Sequence, residues 1–442
     1  MRDQTIRTHS HRRRRGRRRA PVAAASVALT AAASLLLAGC ATGDGGDGRT
    51  QLDFFQFKGE ALEDFQQIID DFEAENPDID VVQNQVADAD TLIRTLLVKD
   101  RTPDVITLNA NGNFGRLAQA GVFHDFSGDP VLETINPAVQ EILADLGTFG
   151  DEVNGLGYVN NANGIIYNID IFEEQGIEVP ETFDELIQVC EQLQDAGITP
   201  FYGTLGDAWT TLPSFNGLGA YPAQEGFFDE MREEGADVGP DSSVSFEQDY
   251  PEVLDRQAQL YSYAQEGYRG RTYDDGNAAF ANGDAAMYMQ GIWAVNPIKG
   301  VNEEINLGIF PYPTDDPADR LLVSGVDVVV TMGKDAPKSE EAMRFIEYLF
   351  SEDVITAFAA SQNMIPSVEG AELSDDPAIQ SVAPWFDEGR ITGFIDHQVP
   401  PGIPLDATVQ QALFTGNPQR ALATLDREWA KVAARTIPVT GE

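Results

Sequence analysis

After residue 50, short apolar runs alternate along the chain with stretches of helical periodicity. Between about Gly59 and Asn76, apolar residues recur every three or four positions, which predicts a helix with one buried face. Pro77 ends this helix because proline lacks the N–H that the helical ladder needs. The pattern also predicts a second helix at 91–99 and three strands, at 52–57, 79–82 and 103–108. This βαβαβ order is typical of a parallel sheet with covering helices.

Two asparagines directly follow the third predicted strand. In an open α/β sheet, ligands bind in the crevice outside the carboxyl ends of the strands, so Asn109 and Asn111 are candidate ligand-binding residues. Asn and Gly are also common in turns for backbone reasons, so an ordinary turn is the alternative. The pattern alone leaves both interpretations open. Glu60, at the start of the first predicted helix, is included among the candidate ligand contacts.

Residues 163–201 contain start and stop signals for two helices. The first is predicted to end at Gly176, and the second to begin with a capping box of Thr182 and Glu185. Cys190 lies on the apolar face of this second helix. A cysteine in such a setting behaves as a small hydrophobic residue, so we expect it in the core and not as a nucleophile.

A predicted strand from about Ala285 to Met289 leads into Gly291 and Trp293. Glycine permits a tight turn with close backbone approach, which places the tryptophan at the carboxyl end of the strand. Its flat ring and single N–H donor suit a pyranose, which has an apolar patch and hydroxyls that need partners. The alternative is that Trp293 is a core residue. Gln290, beside this turn, is a further candidate ligand contact.

Other candidates and one long acidic segment complete the pattern. Asp207 and Trp209 lie at a second strand-to-loop exit, where either ligand contact or a structural role is consistent with the sequence. Trp385 is expected either to line a cleft or to fill a core, and the pattern does not separate the two. Residues 222–252 are acidic, Gly-containing and weakly periodic, which predicts a solvated insertion.

The first 50 residues differ from the rest of the chain. Arginines clustered within 12–19 precede an apolar run at 22–37, and small residues lead into Cys40, which is the layout of a secretory signal. A transmembrane anchor or plain secretion is the alternative, but about 16 apolar residues are short for a span of roughly 20. The LAGC segment ending at Cys40 closely resembles a bacterial lipobox. This resemblance implies a signal peptide over 1–39, a lipidated Cys40 and a flexible tether over 40–50.

The charge balance restricts the range of functions. The chain carries 29 Lys+Arg and 72 Asp+Glu; nine arginines and one aspartate precede Cys40, which leaves 20 against 71 and a mature net charge of about −51. Such an excess excludes a nucleic-acid-binding body and favours a neutral or cationic ligand. With Cys40 lipidated, no pair of cysteines is left for a disulfide. The common catalytic, phosphate-binding and metal motifs are absent, so no catalytic residue, metal or cofactor is predicted.

The segment from Tyr167 to Leu186 carries a motif that reads YN-x₃-F-x₃-G-x₃-P-x-T-F-x-E-L. It resembles the signature of family 1 extracellular solute-binding proteins, which are carbohydrate-capturing lipoproteins of ATP-binding cassette (ABC) importers. Ile169 replaces the usual lysine and Phe183 the usual tryptophan, and neither change affects the fold. Further segments resemble family elements in the correct order, at 103–121, 280–293 and 325–349. The resemblance therefore covers nearly the whole body after residue 50.

This resemblance implies an α/β fold with two lobes, each a mainly parallel sheet flanked by helices, and a ligand cleft between them. We expect lobe one to hold 51–157 and 322–366, and lobe two to hold 158–321 and 367–442. It also favours ligand contact for Trp293. The implied protein is a monomer, lipid-anchored at the outer face of the cell membrane, that delivers a neutral sugar or oligosaccharide to importer permeases. The alternatives are a membrane-anchored secreted glycosidase, for which no spacing nominates the necessary carboxylate pair, and a lipoprotein receptor for a non-sugar solute.

Overall fold

The computed structural model describes residues 48–86, 89–99 and 101–435, which belong to one compact unit. The predicted signal peptide, Cys40 and most of the predicted tether lie outside the described residues. Within the described ranges, no helix has the length and apolar character needed to cross a membrane. The same ranges contain no group of three or more His, Cys, Asp or Glu arranged to hold a metal ion.

The described residues form ten strands and eighteen α-helices. The strands are β1 Thr50–Gln56, β2 Ile79–Gln85, β3 Val105–Leu108, β4 Leu156–Asn168, β5 Phe201–Tyr202, β6 Met287–Gly291, β7 Leu307–Phe310, β8 Leu322–Thr331, β9 Ile365–Pro366 and β10 Ile391–Thr392. The helices are α1 Leu62–Glu75, α2 Ala89–Val98, α3 Gly112–Gln119, α4 Pro137–Ala144, α5 Ile169–Gln175, α6 Phe183–Asp195, α7 Leu212–Gln224, α8 Phe227–Glu234, α9 Phe246–Asp249, α10 Pro251–Ser262, α11 Tyr273–Ala281, α12 Val295–Val301, α13 Ser339–Leu349, α14 Glu352–Gln362, α15 Pro377–Asp387, α16 Ile395–Gln398, α17 Leu405–Thr415 and α18 Pro418–Ala433.

The strands of the described chain form one mixed sheet, whose main path runs β2-β1-β3-β8-β4-β6-β5. β1 pairs in parallel with β2 and β3, as the βαβαβ pattern predicts, and β5 pairs in parallel with β6. In the centre, β3, β8, β4 and β6 are antiparallel neighbours. The 13-residue strand β4 pairs with β8 and β9 along its first half and with β6 and β7 along its second. It therefore joins the two sides of the sheet.

The first of two large hydrophobic cores surrounds β1, β3 and β8. Helix α1 buries Phe65, Ile69 and Phe72 on one face, which confirms the predicted helical periodicity. Phe54 of β1 meets Phe65 and Phe345 edge to face, with ring centroids 5.3 Å apart in each pair. Aromatic pairs in this geometry stabilise a core by roughly 0.5–1.5 kcal/mol beyond their buried area.

The second core lies largely around α6, α7, α10 and α18. Gly176 ends α5 in the left-handed region, with φ +64°, and Thr182 and Glu185 form a complete capping box at the start of α6. Both features are as predicted. Cys190 is fully buried in this core, and burial raises the pKa of its thiol, so the prediction of an inert core residue is confirmed.

The prediction of a solvated insertion at 222–252 is wrong. Helices α8 and α9 bury Phe227, Phe228 and Phe246 in the second core, where Phe246 packs against Trp429 of α18. The indole N–H of Trp429 also donates to the carbonyl oxygen of Met231 at 2.9 Å. The acidic residues of the segment cover the outer face of these short helices and dominate its composition. A small set of aromatic residues nevertheless decides where the segment packs.

Candidate functional site

The middle of β4 is flanked by a glycine on each neighbouring strand. Gly325 of β8 pairs with Asn161, and Gly291 of β6 pairs with Asn163. These two asparagines are two residues apart and so belong to the same face of β4. The two strands that flank β4, namely β6 and β8, are called the crossing strands below. Each presents one position without a side chain on the same face of the sheet, where another group can approach the backbone closely.

An aromatic ring lies over each of these glycines. A Cβ atom added to Gly291 would lie 2.2 Å from Cζ3 of Trp293, and one added to Gly325 would lie 2.4 Å from Cδ2 of Phe394. The two rings face each other at 6.2 Å between centroids, inclined by 50°. Only glycine permits either contact, so the backbone of the crossing strands supports this aromatic pair directly.

The indole of Trp293 is held by Gln290, three residues earlier. Its Nε1–H donates to Oε1 of Gln290 at 3.0 Å. Gln290 is fully buried, whereas Trp293 is only partly buried. The single donor of the tryptophan is thus used inside the protein, which corrects the expectation that it would be offered to a sugar hydroxyl. The part of Trp293 that stays exposed is therefore its apolar ring.

A cavity of about 270 Å³ lies between the start of α3 and the segment 396–406, and it is connected to this pair through His397. Asn111 lines it, and the Oδ1 atom of Asn111 accepts the N–H groups of Asn113 and Phe114 at 2.8 and 3.2 Å, which caps α3. His397 lines the opposite wall, and its ring contacts Phe394 at 5.3 Å. The interpretation of Asn111 as a turn and helix-cap residue is therefore confirmed, and its contact with a ligand stays a prediction.

A compact charge cluster places Asn109 and Glu60 beside β8. Nζ of Lys58 lies 2.8 Å from Oδ2 of Asp327 and 2.7 Å from Oε1 of Glu60. Asn109 donates through Nδ2 to the backbone oxygen of Asp327 at 3.1 Å. Burial by itself would lower the pKa of Lys58, but the charges and hydrogen bonds of Asp327 and Glu60 outweigh it and raise that pKa. The buried ammonium of Lys58 is therefore protonated, and its positive charge is balanced by the carboxylates of Asp327 and Glu60.

Asp207 and Trp209 form a separate polar and aromatic group around Tyr273, the first residue of α11. Oδ2 of Asp207 accepts the backbone N–H of Tyr273 at 2.8 Å. The ring of Trp209 contacts that of Tyr273 at 5.0 Å, inclined by 59°. Trp209 is 39% exposed. The carboxylate thus fixes the start of α11, and the tryptophan leaves much of its ring open to solvent.

Trp385 is placed differently from the other candidates. It lies on α15, which packs against β7, and the guanidinium groups of Arg390 and Arg320 lie over its ring at 4.6 and 5.5 Å. Arg390 in turn donates to the backbone oxygen of Arg320 at 2.7 Å. This ring is therefore covered by arginine side chains, which gives it a structural role at the outside of the first core.

Sequence patterns missed several residues of this region. Phe394, Asp327 and Lys58 were not singled out, although Phe394 stands in an aromatic, proline-rich stretch and Lys58 lies two residues before Glu60. For Phe394, the only available signal was Gly325, a glycine inside a strand, which marks a close approach of some other group. The sequence gives no hint of which group that is.

The fold is that of a class of two-lobe α/β solute-binding proteins. The apo form of RafE from Streptococcus pneumoniae superposes with a TM-score of 0.74 and 23% identity, over 87% of this chain and 98% of that one. A sugar transporter from Bacillus licheniformis in complex with stachyose superposes with a TM-score of 0.66 and 18% identity, over 87% of this chain and 100% of the other. These similarities establish the two-lobe α/β architecture.

The chain belongs to the family of bacterial extracellular solute-binding proteins, whose model matches residues 59–355. Among curated relatives, the multiple sugar-binding protein of Streptococcus mutans is 27% identical over 322 residues, which are 72% of this chain and 75% of that protein. The expected family and the two-lobe α/β fold are thus confirmed. The expectation of mainly parallel sheets is wrong, because the described strands form one mixed sheet with an antiparallel centre. The family consists of binding proteins that work outside the cytoplasm.

Proposed function

We propose that the protein captures a neutral sugar or oligosaccharide between its lobes and delivers it to the permease of an ABC importer. The observation that carries this proposal is the aromatic pair of Trp293 and Phe394, which lies on the glycines of the crossing strands. Similarity to the multiple sugar-binding protein and to the stachyose-bound transporter supports the choice of a sugar.

The Trp293 ring suits a pyranose for a physical reason. One face of a pyranose carries axial C–H groups, and stacking them on an indole removes apolar surface from water. We propose Trp293 as the main contact, with further contacts from Trp209, Asp207, Asn109, Asn111 and Glu60. These polar groups supply the directed hydrogen bonds that a hydroxyl-rich ligand needs.

The charges of the region favour a neutral ligand over an anionic one. The buried ammonium of Lys58 is held by Asp327 and Glu60, so it is not available to a phosphate or carboxylate. The body as a whole is strongly acidic, with 72 Asp+Glu against 29 Lys+Arg in the full chain. A field of this sign repels anions during approach.

We also propose the cellular setting of this receptor. Cys40 carries the lipid, residues 1–39 are removed, and the protein works as a monomer at the outer face of the cell membrane. Two or three acyl chains hold a protein there where one would not, since each buried CH₂ contributes roughly 0.8 kcal/mol. The proposed lobes are 51–157 with 322–366, and 158–321 with 367–442.

A thermal-shift screen of the soluble body against mono- and oligosaccharides tests the proposed function. A ligand at 100 times its dissociation constant should stabilise the protein by roughly 2.7 kcal/mol. Product analysis in the same samples gives the second readout: a receptor returns the sugar unchanged. Sustained turnover would point to a glycosidase instead, and stabilisation by sugar phosphates but not by neutral sugars would contradict the proposed ligand class.

A further inference from the structure

Gln290 is an uncharged polar side chain that lies fully buried on β6. Its Oε1 accepts the indole N–H of Trp293, whereas its Nε2 has no hydrogen-bond partner among the described residues. A buried donor without a partner lowers stability. A leucine of similar size would avoid this penalty, but it could not accept the indole N–H. The hydrogen bond to Trp293 is therefore what glutamine provides at this position and leucine would not.

The other contacts of Trp293 are apolar. The ring lies against Gly291, meets Phe394 and packs against the first core. Apolar contacts of this kind hold the ring in place, but they are weakly directional and do not specify where its N–H points. A hydrogen bond is directional, and this one determines which edge of the indole points into the protein.

We propose that Gln290 is a positioning residue of the ligand platform. By accepting the indole N–H, it fixes the N–H edge of Trp293 inside the protein and leaves the exposed part of the ring for the ligand. Gln290 acts through Trp293, because its own side chain is buried. This inference rests on the proposed function and adds a detail to it. Because the indole N–H of Trp293 is already bonded, the platform recognises the apolar C–H face of a sugar and not the arrangement of its hydroxyls.

Two substitutions separate positioning from a general structural role. Gln290→Leu removes the acceptor and also the unpartnered Nε2. Gln290→Glu keeps an acceptor oxygen in the same place but buries a carboxylate, which lowers stability. The matched control is Gln257→Leu, since Gln257 is a fully buried glutamine that donates to the carbonyl of Thr211 and to Oγ of Ser214 in the second core.

Two measurements are made on each variant. The indole ¹H–¹⁵N signal of Trp293, identified by its loss in Trp293→Phe, reports the hydrogen bond in the ligand-free protein. Calorimetric titration with stachyose, or with the first sugar that stabilises the wild type in the thermal-shift screen, reports affinity. For Gln290→Leu we expect a shifted, faster-exchanging indole signal and an affinity lower by about 2- to 12-fold, which equals the orientation-dependent part of aromatic stacking.

The remaining variants make the expectation falsifiable. Gln290→Glu should keep the indole signal and an affinity close to wild type despite a lower melting temperature, and Gln257→Leu should lose stability alone. An unchanged signal and affinity in Gln290→Leu would overturn the proposal, as would equal losses of affinity in the Leu and Glu variants. If the wild type binds no sugar, the proposed function fails, while the indole signal still decides whether Gln290 holds the ring.

Discussion

Two aromatic groups among the proposed ligand contacts are built in different ways. Trp293 and Phe394 lie on glycines of β6 and β8, and the indole N–H of Trp293 is bonded to Gln290. Trp209 instead lies in a short 3₁₀ helix, Ala208–Thr211, where it rests against Tyr273 with 39% of its surface exposed. The sheet supports the first group and Gln290 orients it, whereas the second has one aromatic neighbour and no such hydrogen bond to its ring among the described residues.

This difference shows which group is ready to bind before a ligand arrives. A ring that is already oriented loses little conformational freedom on binding, so more of its contact energy appears as affinity. A ring that is 39% exposed, as that of Trp209 is, keeps more freedom before binding and loses more of it when a ligand orders it. We therefore expect the affinity of the site to depend more on Trp293 than on Trp209, even though Trp209 offers more accessible surface.

The strongest test of this comparison is Trp293→Ala. Loss of stacking, at about 0.5–1.5 kcal/mol, together with loss of buried area, at about 1.5–3 kcal/mol, predicts an affinity lower by about 30- to 2,000-fold. Calorimetric titration measures this loss, and Trp293→Phe, which keeps an aromatic ring, should lose less. If Trp293 were only a core residue, the variant would lose about 3–5 kcal/mol of stability and bind normally when folded.

Gly291→Ala tests the backbone support of the first group. The new methyl group would lie 2.2 Å from the Trp293 ring and 2.3 Å from the backbone oxygen of Ala162, so the ring must move. We expect a loss of about 1–3 kcal/mol of stability, measured by denaturant unfolding, together with weaker sugar binding. Gly300→Ala is the control, because a Cβ there meets open space within a helix and should be neutral or stabilising. Equal behaviour of the two variants would contradict the close approach.

Trp209→Ala addresses the second group directly. Its partly exposed ring makes a smaller contribution, which we place at about 0.5–1 kcal/mol, or an affinity lower by about two- to fivefold. Titration of Trp209→Ala beside Trp293→Ala gives the ratio of the two losses of affinity, and we expect the loss at Trp293 to be the larger. A larger loss at Trp209 than at Trp293 would reverse the assignment of the main contact.

The smallest effect on binding is expected for Trp385→Ala. Its ring is covered by Arg320 and Arg390, so the substitution removes cation–π contacts worth about 0.5–1 kcal/mol each at exposed sites. We expect a lower melting temperature and an affinity within about twofold of wild type, which is the scatter expected for a change that contacts no ligand. A clear loss of affinity at unchanged stability would place Trp385 in the site after all.

Local signals in the sequence predict the fold well where they are strong. The helical face of α1, the capping box of Thr182 and Glu185, and the left-handed Gly176 all depend on residues close to one another in the chain. The average composition of the acidic segment 222–252 predicts a solvated insertion, but a few aromatic residues decide its burial. Periodicity is informative only when the buried residues are numerous enough to show it.

The candidate site was only partly predictable for the same reason. Trp293 could be found because its glycine and its strand precede it directly, whereas Phe394 lies 101 positions further along the chain. Asp327, the partner of Lys58, is 269 residues away from it. No local pattern encodes pairings of this kind, since they arise only when the chain has folded.

Strand β4 contributes Tyr158 to the first core and Ile165 to the second, and Trp293 and Phe394 lie on the glycines that flank its centre. We propose that β4 is the axis about which the two lobes rotate, which would place the aromatic pair close to that axis. Points near a rotation axis move least when the bodies on either side turn. We therefore expect the sugar to meet the aromatic pair in the same arrangement in the open and closed protein, while contacts further from the axis form only on closure.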